Sequence, residues 1–250
     1  MNNWKIIKQK LINFLELEVA KTGHKSVVLG LSGGLDSAVV AVLCKEVFKE
    51  NLLCVLLPSQ FSSKSSVDDA LELCKKFDIR HEIVSIEPLL SCYINNMKNN
   101  NLRIGNFSAR IRMTVLYDIS ARESSIVVGT SNKSELFLGY GTIFGDLACA
   151  INPIGNIYKS DLFDFARFLG VTDSIINKAP SADFYEGQSD EVDLGYSYSR
   201  IDEFLKSFID KNSSKEELLK LGFEQEMIEK ITNRVKINSF KRELPKIAQI

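Results

Sequence analysis

Residues 32–37 read Ser-Gly-Gly-Leu-Asp-Ser and follow directly on an apolar run, Val27 to Leu31. Two adjacent glycines let backbone N–H groups turn inward, and a helix starting near Leu35 adds its unpaired N-terminal amides and the positive end of its dipole. Ser32 and Ser37 can each donate a hydroxyl to a phosphate oxygen. The stretch Gly30, Leu31, Ser32, Gly33, Gly34, Leu35, Asp36 and Ser37 therefore suits a bound polyphosphate. It lacks the lysine of a G-x-x-x-x-G-K-[ST] loop, which stabilises charge on a transferred γ-phosphate. Asp36 would be repelled by phosphates unless a cation lay between them, which implies Mg²⁺ held by one or two carboxylates and the phosphates. Alternatively, Asp36 complements the helix dipole and Ser32 caps the helix. The setting Ser-Gly-Gly-x-Asp-Ser after a strand favours the metal.

The elements that must position this loop are legible as an alternation. Short β-branched runs at 26–31, 51–57, 81–86 and 124–130 are nearly continuously apolar, as expected of strands covered on both faces. Helical periodicity falls between them at 35–50, 67–77 and about 107–122, with a further helical piece around 89–97. Such a βαβ series predicts an α/β fold, a doubly wound parallel sheet with helices on both faces, followed by C-terminal helices. Ligands of these sheets bind at the carboxyl ends of the strands near the reversal of strand order. The phosphate loop and a second segment, "GTSNKSE" (129–135), both follow strands and should face that crevice.

The N-terminal stretch places Trp4, Ile7, Leu11, Leu15 and Val19 among Lys and Glu, an amphipathic helix and no membrane span. Residues 179–195 are polar and suit a surface loop or a mobile lid, composition favouring the loop. Six basic residues against two acids in 228–250 suit a solvated helix end or an anion-facing tail. Five scattered cysteines with no C-x-x-C pair read as reduced thiols of a cytoplasmic protein. A formal net charge of −1 supplies no positive field for a polynucleotide, which disfavours nucleic-acid partners.

The loop resembles the SGGxDS pyrophosphate loop of the N-type ATP pyrophosphatases, which grips the β- and γ-phosphates as a leaving group while a substrate oxygen attacks the α-phosphate. The blocks "VVGTSNKSELFLGYGTIFGD" (127–146), "NPIGNIYKSDLFDFARFLG" (152–170) and "KAPSADFYEGQSDEVDLGYSYSRID" (178–202), with "ARIRM" (109–113) and "KRELP" (241–245), are similar in order to those of NAD synthetases. The resemblance implies an adenine nucleotide alpha hydrolase-like fold in one domain over 1–250. It implies a homodimeric ligase that amidates deamido-NAD with ammonia, using ATP and Mg²⁺, through an acyl-adenylate. By the same resemblance Thr130 contacts ATP, Glu135 joins Asp36 on the metal, Lys159 and Ser181 contact the ATP phosphates, and Arg110 and Lys241 bind the dinucleotide. Glu135 also reads independently as the third helical residue of a capping box begun by Asn132. An Arg at 110 near a helix start opposes the dipole, which suits an external anion. Ile143, Ala150 and Phe240 stand where family members often carry Lys, Asp and His, so substrate recognition carries over less fully than ATP binding. Ammonia is the expected nitrogen source, since no residues remain outside these blocks for an amidase domain. The alternatives are another pyrophosphatase-loop adenylating enzyme, including a tRNA-modifying one, and a nucleotide-binding module without chemistry.

Overall fold

Side chains of successive strand residues point to opposite faces, and here both faces are apolar. In the computed structural model, which describes residues 3–97, 100–181 and 189–249, four parallel strands form one sheet: β1 (Ser26–Gly30), β2 (Leu52–Leu56), β3 (His81–Ile83) and β4 (Ser125–Val127). The order is β3-β2-β1-β4, with Val28 in register with Leu53 and with Val127. Val27, Leu29, Leu52, Cys54 and Ile126 enter one apolar cluster, while Val28, Leu53, Val55 and Val127 enter another.

The first cluster is closed by α1 (Trp4–Lys21), α2 (Leu35–Phe48), α3 (Lys64–Phe77) and, from later in the chain, residues 159–176. Leu15 and Val19 of α1 are buried, and Trp4 stacks on Phe165 at 5.1 Å. The second face is closed by α4 (Glu87–Ser91) and α5 (Asn101–Arg122). A third cluster lies off the sheet. It gathers α6 (Lys133–Leu138), Tyr158 after it, and the last helices: α9 (Asp190–Leu194), α10 (Tyr198–Leu205), α11 (Lys215–Lys220) and α12 (Gln225–Ile237). Between lie α7 (Lys159–Leu169) and α8 (Asp173–Ile176), and a 3₁₀ turn, Ser239–Arg242, follows α12.

Three sequence expectations are corrected. The 81–86 run is a short edge strand, His81 and Ile83 exposed, because β3 has a neighbour on one side only. The helix expected from 107 begins at Asn101, capped by the Asn100 side chain. The polar stretch 179–195 is not a loop at its distal end: Asp190–Leu194 is helical, with Asp190 and Leu194 buried. Residues 182–188 of that stretch lie outside the described residues. The sheet also gains a parallel bridge from Val128 to Ile151.

Candidate functional site

The chain runs outward from β1 to β2 to β3, then returns to place β4 on the other side of β1, so the loops after β1 and β4 diverge. There, at the strands' carboxyl ends, a cavity of about 610 Å³ opens. Its volume is that of a small-molecule site. All of Gly30–Ser37 lines it, with Thr130, Glu135, Lys159, Ser181 and Lys241.

The phosphate loop is held by its own hydroxyls. Ser32 N–H donates to Ser37 Oγ at 3.2 Å, Gly34 N–H to Ser32 Oγ at 3.2 Å, and Ser37 Oγ to the Gly34 carbonyl at 3.1 Å. The cap of α2 is Gly34, not the Ser32 side chain. Gly33 has φ +78°, and a β-carbon on it would collide with the backbone oxygen of Ser66 in the first turn of α3. Leu31 and Leu35 turn into the core and anchor the loop from below.

Asp36 and Glu135 come from different strand ends and meet on one cation. Lys159, 4% exposed, pairs with Asp36 and lies 3.4 Å from Glu135 Oε1. Asn132 ties the two halves, its Nδ2 donating to Asp36 Oδ1 at 2.7 Å. The capping-box reading of Glu135 holds, and it leaves one carboxylate oxygen outside the box. Its Oε2 accepts from Asn132 N–H at 3.3 Å and its own N–H donates to Asn132 Oδ1 at 3.0 Å, a complete capping box, while Oε1 faces the lysine. Burial and the Asp36 charge push Glu135 up to about 8, against the pull of Lys159. Lys159 is raised: burial opposes its charge, but the Asp36 and Glu135 carboxylates outweigh that penalty. Removing either carboxylate would leave a buried charge less compensated.

Among the described residues no three or more His, Cys, Asp or Glu side chains form a metal cage. Two hard oxygen donors converging on one cation do fit Mg²⁺, which binds through one or two carboxylates and completes its shell with phosphates and water.

Other expected positions fare differently. Arg110 does not line this cavity; it is exposed on α5, its Nε donating to the Ile143 carbonyl at 3.3 Å. Because α5 starts at Asn101, Arg110 sits in its third turn and does not oppose the dipole at a helix start, contrary to the expectation from sequence. Lys241 lines the cavity, but Nζ also donates to the carbonyls of Gly139 and Gly141 at 2.8 and 3.0 Å. Ile143, Ala150 and Phe240 are not in the cavity wall.

Several lining residues escaped the sequence reading. Arg112, two positions from Arg110, donates Nε to the Leu57 carbonyl at 3.0 Å. Lys178 donates to Ser66 Oγ at 2.9 Å and to Asp69 at 2.8 Å, tying the segment before 182 to α3. Asp190, 3% exposed, accepts from Tyr140 at 3.0 Å and Tyr198 at 3.3 Å, and burial raises its pKa. The only sequence signal for Lys178 and Asp190 was their place in the block 178–202, which Lys178 opens and Asp190 halves.

Fold and site together define an α/β protein whose glycine loop opens into a polar cavity with two carboxylates and a buried lysine. More particularly, the chain belongs to the NAD synthase family, whose model matches residues 7–245. It is 51% identical over all its length, and 98% of the relative's, to the NH(3)-dependent NAD(+) synthetase of Wolinella succinogenes. Among solved structures it is similar to the NH3-dependent NAD synthetase of Campylobacter jejuni (TM-score 0.86, 41% identity) and the NMN synthetase of Francisella tularensis (TM-score 0.89, 32% identity), each over 100% of both chains.

Proposed function

We propose that this protein makes NAD by amidating deamido-NAD with ammonia, consuming ATP to AMP and pyrophosphate. The observation that carries the reading is the convergence of Asp36 and Glu135 on Lys159 beside the glycine loop, in a chain of this family. In this reading residues 30–37 hold the β- and γ-phosphates by backbone N–H groups and by Ser32 and Ser37, with Thr130 and Ser181 as further ATP contacts. Mg²⁺, held by Asp36 and Glu135, would neutralise charge on the departing pyrophosphate. Lys159 turns its ammonium from the carboxylates toward the phosphates and supplies the cation that the loop itself lacks. The substrate carboxylate attacks the α-phosphate, forming an acyl-adenylate, and ammonia then displaces AMP. Catalysis is by positioning and charge stabilisation, with no covalent bond to the protein.

The working assembly proposed is a cytoplasmic homodimer in which residues 1–250 act as one domain and Arg110 and Lys241 serve the dinucleotide. Among the described residues no helix is long and apolar enough to cross a membrane. Exposed Phe144, 65% accessible, follows Ile143, whose carbonyl accepts from Arg110, and supports that face as the dimer contact.

A second reading, amidation of the corresponding mononucleotide acid, is favoured by the likeness to the Francisella NMN synthetase and by the replaced positions Ile143, Ala150 and Phe240. Steady-state kinetics with both acids decides between them. The first reading expects the higher kcat/KM for deamido-NAD, and a clear preference for the mononucleotide would replace it with the second.

A further inference from the structure

Helix α6 carries Glu135 yet has only six residues, about one and a half turns, too few to hold itself in water. Its amino end is gripped through Asn132 on Asp36 and through Ser134, whose Oγ donates to the buried Asp202 at 2.5 Å. Its carboxyl end leaves carbonyls that no further turn can satisfy. Two basic side chains from the C-terminal stretch reach them, and a third reaches carbonyls just past the helix. Arg242 Nη1 donates to the carbonyls of Leu136 and Phe137, both at 3.1 Å, and its guanidinium lies 4.8 Å from the Phe137 ring centroid. Arg234 Nε donates to the Leu138 carbonyl at 2.9 Å, and Lys241 covers those of Gly139 and Gly141. The fit is close: a β-carbon on Gly139 would collide with Asn238, which precedes the 3₁₀ turn. Part of the basic tail is therefore neither an idle solvated end nor wholly free for an outside anion.

We propose that Arg242, with Arg234 and Lys241, clamps the carbonyl end of α6 and so fixes the cavity-facing carboxylate of Glu135. Arg242 is a positioning residue, since it is not among the residues lining the cavity. Positive donors suit a helix's carboxyl end, where the dipole is negative. Loss of the clamp frees α6 to tilt, and small misplacements of a reacting group are costly in rate, whereas the phosphate loop on β1 is untouched.

The test rests on the functional reading above and pairs kinetics with amide hydrogen exchange on the ligand-free protein. Arg242→Met should lower kcat about tenfold or more with KM for ATP changed less than about twofold. It should also speed exchange at the amides of Gly139 and Tyr140, which bond to the Leu136 and Glu135 carbonyls, and leave β1 unchanged. Arg242→Lys, which restores a cationic donor, should recover most of both. The control is Arg200→Met, which removes a comparable arginine from the Gly222 carbonyl and the Phe223 ring in the C-terminal bundle. An Arg242→Met enzyme with kcat and exchange matching the control, or with no recovery in Arg242→Lys, overturns the clamp. If the wild-type chain forms no NAD, the functional reading fails and the exchange comparison alone decides the clamp.

Discussion

Asp36 and Glu135 share one buried ammonium beside the phosphate loop, so loss of either charge should lower turnover and also cost some stability. Asp36→Asn and Glu135→Gln are each expected to lower kcat about a hundredfold or more, because charge on the departing phosphates is left uncompensated. A glutamine can still complete the capping box, so Glu135→Gln should keep its fold; lost thermal stability with full activity would leave Glu135 as a helix cap only. Glu135 also sets a pH dependence in the ligand-free protein. Burial and Asp36 raise its native pKa to about 8 from the ordinary 4.5, so the native state keeps a proton that the unfolded chain releases. That stabilisation is complete below about 4.5 and is lost as pH rises through about 8. The melting temperature should therefore fall between pH 5 and 8 in the wild type and less in Glu135→Gln; equal slopes would contradict the shift. At this scale the ordered motifs made Asp36, Glu135 and Lys159 legible. Arg112 and Asp190 were not, since their roles depend on which side chain of α5 reaches the Leu57 carbonyl beyond β2 and on Tyr140, distant in sequence from Asp190.

The turn from β1 into α2 is the element on which phosphate binding depends. Gly33→Ala would place a side chain at positive φ and against the Ser66 oxygen, costing on the order of 1–3 kcal/mol in strain alone. Its expected result is a lower melting temperature with a raised KM for ATP, and normal values of both would remove Gly33 from the account. The alternation of strands and helices was readable because apolar runs and helical periodicity differ in kind. The misread elements each have a local cause. The stretch 81–86 is apolar enough for a central strand, but order in the sheet, invisible in sequence, leaves β3 at an edge. Gly105 resembles a helix break, yet it is buried inside α5, where tertiary packing outweighs its poor propensity. The bridge at Ile151 is too short to leave a periodic signal.

At the scale of the molecule, the proposed dimer would set Arg110, exposed on α5, at a substrate site completed by the second subunit. Arg110→Ala should then raise KM for deamido-NAD about tenfold or more and leave that for ATP nearly unchanged, since a charged group without its cation loses roughly 1.5–3 kcal/mol. Equal weakening of both substrates, or of neither, would detach Arg110 from the dinucleotide, and sedimentation of the wild type as a monomer would remove the shared site. The amidation itself is tested by supplying the purified chain with deamido-NAD, ATP, Mg²⁺ and ¹⁵N-ammonium, with mass detection of the product. The expected product is NAD carrying the label, with one AMP per NAD formed and no comparable yield when glutamine replaces ammonium. Unlabelled or absent NAD, or ADP in place of AMP, would contradict the proposed reaction.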